Sequence, residues 1–208
     1  MRSYDDPCGV ARALDHVGER WALLVVRELL LGAKRFTDLR AGLPSASQNV
    51  LSQRLRELEG SGIVRRRKLP PPAASWIYEL TERGLALEPV VLALARWGSQ
   101  APMTSAASLS VDALMTALKS TFDAEAARGF AAVVELRLDH NRFQASVSPG
   151  GLALTRASGG ADAVLETDPD TLRALVFEGR AVDPAMVTGD LTVVERFLGL
   201  FPRPAMSS

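Results

Sequence analysis

The sequence predicts an α+β protein in two parts: helices ending in a β-hairpin and a further helix, then a small α/β sandwich with an antiparallel-rich sheet. Three observations carry this prediction. Apolar residues recur at helical spacing up to about residue 100, residues 99–108 are small and polar without an apolar period, and strand-like alternation follows residue 130. We therefore expect one domain at residues 1–100 and another at residues 109–201.

Composition narrows the class of protein. The 208 residues are 47% hydrophobic, with 24 Lys+Arg and 24 Asp+Glu, which is typical of a globular protein. The single cysteine, Cys8, excludes an intrachain disulfide, and with His16 and His140 it is too little for a Cys/His zinc cluster. No run approaches the roughly 18 uncharged apolar residues of a membrane span. We expect a cytoplasmic protein without membrane contact, metal or cofactor.

The first helices are predicted at residues 8–17, 20–31 and 37–41. The second is apolar on almost all sides, which favours a central place in a core. Gly32 is expected to end it, and Thr37 is expected to be the N-cap of the third.

The next helix is predicted to present a polar face for recognition. It starts near Ser45, which has capping-box spacing to Gln48, or at the alternative cap Ser47, and it ends before Gly60. Its buried face is formed by leucines, and its opposite face is polar. The leucines are Leu51, Leu55 and Leu58; the polar residues are Asn49, Gln53 and Arg56, with Ser52 at the margin. Amide, hydroxyl and guanidinium groups suit base edges in a major groove.

A basic hairpin is predicted to follow this helix. Residues 63–69 and 75–80 are the expected strands, joined by a proline-rich turn. Alternation sends two of the cations Arg65, Arg66, Arg67 and Lys68 to each face, so that some reach phosphate and the rest are solvated or paired with acids. From Lys34 to Lys68 there are nine cations and three anions, which favours a polyanionic partner. Helix followed by basic hairpin is a winged helix-turn-helix layout.

A long helix closes the first part. Thr81 is its expected cap, it reaches Trp97, and Pro89 is expected to kink it. The apolar residues assigned to its inner side are Leu87, Val90, Val91, Leu94 and Trp97. Together with the helix at 8–17, this is more apolar surface than a domain of about 100 residues needs to cover itself, which predicts a homodimer with an isologous interface.

The second part is predicted to begin with an amphipathic helix at 110–122. Strands at 130–139, 142–148, 152–157 and 163–167 are expected to form an antiparallel meander. Asp168 caps a helix at 171–178 with Pro169 at its first position, and a last helix follows Asp190.

The first part resembles the HxlR family of bacterial winged helix-turn-helix regulators from Cys8 to Gly98. The resemblance is carried by "GERWALLVVREL", "RFTDLR", "VLSQRLRELEGSGIV" and "YELTERG", in that order. It implies a homodimer whose outer helices pair and whose recognition helices enter successive major grooves of a pseudo-palindromic DNA operator. Sequences of this family commonly end just past the long helix, whereas the present sequence continues beyond it.

Residues 109–201 resemble the sterol carrier protein 2-like domain. The resemblance is carried by "ADAVLETDPDTLRALVFEGR" and "VTGDLTVVERFLGLF". It implies an α/β sandwich that can enclose a lipid-binding tunnel, so a hydrophobic effector is expected here. The candidate lining residues are Phe122, Phe143, Val147 and Leu175.

These observations predict a sequence-specific DNA-binding transcription regulator. The expected DNA-binding residues are Arg35, Thr37, Ser47, Gln48, Asn49, Ser52, Gln53, Arg56, Arg67 and Lys68. An ordinary solvated helix face is the alternative for the polar helix, but its place between "RFTDLR" and a basic hairpin favours DNA. Cys8 is either a redox sensor or a buried cysteine that merely packs.

Two other classes of protein stay open, while an enzyme is not expected because HExxH, GxSxG, phosphate-loop and CxxC motifs are absent. A lipid carrier with a helical accessory domain would bind lipid without specific DNA binding. An architectural DNA protein without a ligand would bind DNA with low sequence selectivity.

Overall fold

The structure, a computed structural model, describes residues 3–101 and 107–202. It divides into two units, Met1–Val91 and Leu92–Ser208. The expected domain limits, 1–100 and 109–201, stay a prediction.

The described residues 3–100 contain six helices and three strands. Leucines and valines of the central helices build the core: Val25, Val26 and Leu29 from the second helix, and Leu51, Leu55 and Leu58 from the fourth, are all buried. The elements are α1 (Gly9–Val17), α2 (Ala22–Leu29), β1 (Lys34–Arg35), α3 (Phe36–Gly42), α4 (Gln48–Gly60), β2 (Val64–Lys68), β3 (Trp76–Leu80), α5 (Glu82–Leu85) and α6 (Glu88–Gly98).

The three strands form an antiparallel sheet in the order β1-β3-β2. The predicted hairpin of β2 and β3 is confirmed, with Arg66 opposite Tyr78 and Lys68 opposite Trp76. The sequence analysis missed β1, which is two residues long and pairs Lys34 with Tyr78.

The helix predicted to run unbroken from Thr81 to Trp97 is interrupted, so the prediction of a mere kink is wrong. Thr81 does cap α5, because its Oγ1 accepts a hydrogen bond from the Gly84 N–H at 3.1 Å. Pro89 has no N–H to donate to the Leu85 carbonyl, and its ring would clash there, so α5 ends at Leu85. Pro89 instead lies in the first turn of α6, where a missing N–H costs nothing.

The inner side assigned to this helix is also partly wrong. Val91 is buried and Leu87 packs against the core. Val90, Leu94 and Trp97 are 50%, 47% and 72% exposed. On α1, to which no inner side was assigned, Val10 is 67% exposed.

The second unit has a five-stranded sheet in the order β6-β5-β4-β7-β8, so the prediction of a four-stranded antiparallel meander is wrong. β7 pairs with β4 in parallel, while the other three pairings are antiparallel. The elements are α7 (Val111–Thr121), β4 (Ala132–Leu138), β5 (Asn141–Ser148), β6 (Gly151–Thr155), β7 (Ala163–Thr167), α8 (Pro169–Arg173), a π-helical turn (Ala174–Glu178), a 3₁₀ turn (Pro184–Met186), β8 (Val187–Gly189) and α9 (Leu191–Leu198).

A buried carboxylate explains how the chain crosses from β6 to β7. The connecting segment passes over β5 and β4, and Glu135 of β4 accepts a hydrogen bond from the Gly159 N–H at 3.0 Å. Gln144, opposite Glu135 on β5, donates to the Gly159 carbonyl. Held there, the chain reaches the free edge of β4 and pairs with it in parallel.

One face of this sheet forms the core of the second unit. Val134, Leu136 and Phe143 are completely buried on it. α7 packs against β6, and α9 packs against β4 and β7. The predicted cap Asp168 is confirmed, because it accepts from the Thr171 N–H at 2.8 Å. The last helix follows Asp190 as predicted, and Asp190 is its cap, accepting from the Thr192 N–H at 2.8 Å.

Within the described residues, no helix is both long and apolar enough to cross a bilayer.

Candidate DNA-binding surface

Helix α4 is oriented by its two unlike faces. Leu51, Leu55 and Leu58 are each at most 1% exposed, which fixes the rotation of the helix on the core. Ser47 is the N-cap, since its Oγ accepts from the Val50 N–H at 3.4 Å. The alternative cap is therefore the correct one, and Ser45 precedes the helix.

The outward face of α4 is polar, as predicted. Gln48, Asn49, Gln53 and Arg56 are exposed, and Ser52 is half-buried. Gln53 Nε2 donates to Glu57 Oε1 at 2.9 Å. Arg56 makes no ion pair or hydrogen bond with any residue that the structure describes, so its guanidinium is available to a ligand.

Arg54 does not belong to this face, although it contributes to the basic excess of the sequence. It is 9% exposed, and its guanidinium contacts the carboxylate of Glu57 and lies 3.6 Å from that of Glu19. Its charge is therefore neutralised by carboxylates of the protein itself.

Arg35 and Thr37 lie at the start of α3, the helix before α4. The N-cap is Arg35, whose N–H donates to Asp38 Oδ2 at 3.1 Å, so the prediction of Thr37 as N-cap is wrong. Thr37 lies inside the helix, and its Oγ1 donates to Asp38 Oδ1 at 3.3 Å. Both side chains are exposed.

A buried ion cluster that the sequence analysis missed fixes α2, β1 and α3 together. Glu28 is fully buried and accepts hydrogen bonds from Arg27 at 2.8 Å and Lys34 at 2.7 Å. A Cβ at Gly42 would lie 2.2 Å from the Glu28 carboxylate, so the end of α3 approaches this group as closely as glycine allows. The available signal was the adjacent charged pair Arg27 and Glu28 within the otherwise apolar helix α2.

The hairpin carries two arginines that share one acid. Arg65 Nε lies 2.8 Å and Arg67 Nε 3.1 Å from Glu79 Oε1. Hydrogen bonding by Arg67 lowers the pKa of Glu79, with Arg65 acting in the same direction, so this carboxylate is ionised at neutral pH. Arg67, predicted to hold phosphate, is thus half-exposed and already paired.

The other two cations of β2 have a different environment. The Arg66 guanidinium carbon lies 4.2 Å from the centre of the Trp76 ring and 6.0 Å from that of Tyr78. Lys68 is exposed and makes no ion pair within the described ranges.

Helices α3 and α4 followed by the β2–β3 hairpin define a winged helix-turn-helix domain. Its outward surface joins the polar face of α4, the start of α3 and a basic hairpin, a combination typical of DNA-binding proteins.

Comparison with known proteins gives the family. Residues 16–106 match the family described as HxlR-like helix-turn-helix. The transcriptional regulator YvaP of Bacillus subtilis is 39% identical over 89 residues, which is 43% of this chain and 82% of that protein. The regulator YodB of the same organism is 40% identical over 88 residues, 42% of this chain and 79% of that protein. The chain belongs to the HxlR-like helix-turn-helix family, and the family match ends at residue 106.

Solved structures of such regulators are also similar to part of the chain. The reduced form of B. subtilis YodB is 38% identical, covers 46% of this chain and 94% of its own, and has a TM-score of 0.41. The redox regulator HypR in its oxidised form is 38% identical, covers 47% of this chain and 100% of its own, and has a TM-score of 0.42. The named relatives are transcriptional regulators, so at the level of the family the role is regulatory and not enzymatic.

The residues predicted to line a ligand site are not all brought together. Phe143, Val147 and Leu175 are at most 5% exposed and lie in the packed core. Phe122 is half-buried and lines an open cleft of about 390 Å³, also lined by Arg96, Ser120, Asp123 and Pro202. The three buried residues do not line this cleft.

Cys8 is the N-cap residue of α1 and is exposed, so the alternative of a buried, packing cysteine is wrong. Its N–H donates to Asp6 Oδ1 at 2.8 Å.

Proposed function

We propose that this protein is a homodimeric, sequence-specific DNA-binding transcription regulator in which α4 reads base edges in the major groove. The observation that carries this proposal is the polar face of α4, which three buried leucines hold outward and which exposes Arg56, a residue with no partner in the described part of the chain. Membership of the family supports the role of a transcription regulator. The polar face of α4 provides the residues that we propose contact bases. The architectural and carrier alternatives lack such an argument.

The proposed DNA contacts are of two kinds: residues of α4 read bases, and residues of the hairpin hold phosphate. Arg56, with Asn49 and Gln53, lies where bidentate contacts to bases would form, each worth about 1–3 kcal/mol of discrimination. Arg35, Thr37, Ser47, Gln48 and Ser52 border this face. Lys68 of the hairpin would hold phosphate, whereas Arg67 would first have to leave the Glu79 carboxylate. Phosphate contacts give affinity and register without sequence information.

The test compares variants on two kinds of duplex: sequences that the wild-type protein recovers from a random pool, and scrambled versions of them. Arg56→Ala and Gln53→Ala should weaken binding to recovered duplexes more than to scrambled ones. Lys68→Ala should weaken both alike and reduce the salt slope by about 0.9 per lost phosphate contact. An unchanged ratio for both α4 variants would mean that this face does not read bases.

The homodimer is supported by exposed apolar side chains on α1 and α6. Val10, Val90, Leu94 and Trp97 are 47% to 72% exposed, and gathered into one patch they would mark a protein–protein contact. A two-fold interface over these helices would present two α4 helices to a pseudo-palindromic operator.

For the second unit we propose a sterol carrier protein-like domain that binds a hydrophobic effector. Its support is the α/β arrangement, one face of a five-stranded sheet covered by helices, together with an open cleft beside Phe122. A bound fatty acyl or sterol-like compound should raise the melting temperature. At a ligand concentration of one hundred times Kd, it should raise the free energy of unfolding by about 2.7 kcal/mol. A screen without such a rise would make this domain a scaffold.

A redox role of Cys8 is a further proposal that its exposure permits. Oxidation of the wild-type protein should change DNA affinity, and Cys8→Ser should remove that change. An oxidant response retained in Cys8→Ser would exclude the role.

A further inference from the structure

The open cleft beside Phe122 has the size of a site for a small molecule. It is lined by the end of α6, the last turn of α7, the turn that follows α7, and Pro202, and all of these residues belong to the second unit. Its volume of about 390 Å³ lies near the lower end of the range of about 300–1,000 Å³ that is usual for ligand pockets. Because Phe143, Val147 and Leu175 lie in the packed core instead, the cleft suits a ligand with a compact apolar part.

One wall of the cleft is an aromatic ring that the fold holds in place. Phe122 directly follows α7, and its ring centre lies 6.2 Å from that of Phe201. Phe201 in turn contacts the ring of Phe197 edge-on at 5.2 Å, and Phe197 is completely buried. The next residue, Asp123, donates its N–H to the Leu200 carbonyl at 2.9 Å. The cleft therefore offers an apolar wall that is formed before a ligand arrives.

Arg96 brings a positive charge to the cleft and keeps most of its donors. Its Nε donates to the carbonyl of Ser120, in the last turn of α7, at 3.1 Å. No other hydrogen bond or ion pair joins Arg96 to a residue in the described ranges, so its two terminal nitrogens keep their donors there. The bond to Ser120 restrains the guanidinium, and a planar fork of this kind can bind a carboxylate through two parallel hydrogen bonds.

Asp123 and Glu125 bring negative charge to the same cleft, but their environments differ. The Glu125 carboxylate pairs with Arg128 at 2.7 Å. Asp123 uses only Oδ1, which accepts from the N–H groups of Glu125 and Ala126 at 2.9 Å and 3.1 Å, and its Oδ2 has no partner among the described residues. A purely anionic ligand would be repelled by Asp123 and a purely cationic one by Arg96. The cleft therefore suits a molecule that carries both charges.

We propose that this cleft binds an apolar amino acid, such as phenylalanine or leucine, as the effector of the regulator. Arg96 binds the carboxylate, Asp123 Oδ2 accepts from the ammonium group, and the side chain packs on Phe122. Two charge-assisted contacts and one apolar contact thus select three different parts of the ligand. The effector role rests on the proposed function, whereas the binding site itself does not.

Arg96 also gives such a ligand a route to the dimer. It lies on α6 beside Trp97 and two residues after Leu94, whose exposed side chains we propose for the two-fold interface. A carboxylate bound by Arg96 therefore acts on the helix that carries this interface. If the ligand prefers one position of α6, it changes the affinity for the operator, and the operator changes the affinity for the ligand by the same factor.

The experiment is a calorimetric titration of the full-length protein without DNA, with ligands that differ by one group. L-phenylalanine carries all three groups, phenethylamine lacks the carboxylate, hydrocinnamate lacks the ammonium group, and L-serine lacks the apolar side chain. The wild type should bind L-phenylalanine about tenfold more tightly than each of the other three, because each of them loses one charge-assisted or apolar contact. L-leucine and L-methionine are titrated in the same way.

Two conservative variants identify the residues that bind the charges. Arg96→Gln should bind L-phenylalanine and phenethylamine about equally, because the carboxylate has lost its partner. Asp123→Asn should bind L-phenylalanine and hydrocinnamate about equally, while the amide oxygen can still accept from the N–H groups of Glu125 and Ala126. General damage to the fold would weaken all ligands together and would not bring one of these two ratios to one.

The chain offers a matched control for each variant. Arg196 also donates to a backbone carbonyl, that of Arg128 at 3.3 Å, and Asp183 also caps a turn, by accepting from the Ala185 N–H at 2.9 Å. Neither Arg196 nor Asp183 lines the cleft. Arg196→Gln and Asp183→Asn should therefore leave both ligand ratios as they are in the wild type.

The outcomes separate the site from the function. The site is refuted if none of the three apolar amino acids binds at millimolar concentration, or if the two ratios survive in Arg96→Gln and Asp123→Asn. If L-phenylalanine binds but leaves operator affinity unchanged, the effector role is refuted and the site stands. If the protein recovers no sequence from a random pool of duplexes, the proposed function and the effector role fail together, while the calorimetric ratios still decide the site.

Discussion

The first hundred residues and the segment 107–202 differ in how many of their large apolar side chains are exposed. Of the ten large hydrophobic side chains exposed in the described chain, nine lie before residue 100, and the other is Leu109. The later segment instead encloses Phe143, Phe197 and Leu136 completely. The first region thus leaves apolar side chains that a partner would cover, whereas the later segment keeps almost all of its large apolar side chains inside. The following variants test that difference.

The largest effect is expected from the closed core. Phe143→Ala removes a completely buried ring from the centre of the five-stranded sheet and should lower the free energy of unfolding of the second unit by about 3–5 kcal/mol. Denaturant unfolding monitored by circular dichroism measures it. Leu109→Ala, at a side chain 40% exposed, is the control and should cost within about 0.5 kcal/mol. Comparable losses in the two variants would mean that the core around Phe143 is not closely packed.

The uncovered surface of the first region should act through association. Trp97, 72% exposed, has the character of an interface anchor, and Trp97→Ala should weaken the dimer by about 2 kcal/mol, roughly thirtyfold in Kd. Sedimentation over a concentration series measures it. Trp76→Ala removes the other strongly exposed tryptophan, 47% exposed on the hairpin, and should leave the dimer intact. A wild-type protein that stays monomeric at micromolar concentration would refute the dimer.

A smaller, pH-dependent effect is expected at the crossing of the second sheet. The hydrogen bond from the Gly159 N–H, then that from Arg137, lowers the pKa of Glu135 below its ordinary value of 4.5. Its stabilising contribution is therefore present above about pH 4.5 and is lost as the pH falls through the folded-state pKa. Glu135→Gln should lower the free energy of unfolding by about 2 kcal/mol at pH 7. It should also make that free energy depend less steeply on pH on the acid side.

Glu166→Gln is the control for that measurement, because Glu166 is 66% exposed and lies 3.4 Å from the same Arg137. It should leave the acid limb nearly unchanged. A steep acid limb that survives in Glu135→Gln would place the titrating group elsewhere.

The smallest effects compare one helix cap from each region. Ser47 accepts from the Val50 N–H at 3.4 Å, whereas Asp168 accepts from the Thr171 N–H at 2.8 Å and from the Thr171 hydroxyl at 2.7 Å. Asp168→Ala should therefore cost about 1–2 kcal/mol and Ser47→Ala about 0.5 kcal/mol. Thermal melts of the two variants show which loss of stability is larger. A larger loss in Ser47→Ala would show that the length of the capping hydrogen bond does not control these losses.

Most local features could be predicted from the sequence and nonlocal ones could not, although the Thr37 cap and the unbroken helix through Pro89 were local predictions that failed. The caps Thr81 and Asp168 and the leucine face of α4 depend on neighbours within one or two turns, and they are confirmed. The parallel pairing of β4 with β7 depends on a segment about thirty residues away, and alternation alone does not distinguish parallel from antiparallel partners.

The candidate DNA surface divides in the same way. Helical geometry alone placed Asn49, Gln53 and Arg56 outward. The burial of Arg54 and Glu28 and the sharing of Glu79 by two arginines depend on partners from other elements, so counting cations overstated the charge available to DNA. The stacking of Arg66 on Trp76 likewise required the strand register.

The strand order β6-β5-β4-β7-β8 also bears on how the chain is synthesised. β4 can pair with β5 as soon as residues 141–148 leave the ribosome, but its other edge stays open until residues 163–167 follow. An open edge next to Val134 and Leu136 can pair with the same edge of another nascent chain. β7 closes this edge when it arrives, guided by the segment that Glu135 holds. A chain that stops after Thr155 lacks β7 and is therefore expected to aggregate under conditions in which the wild type does not.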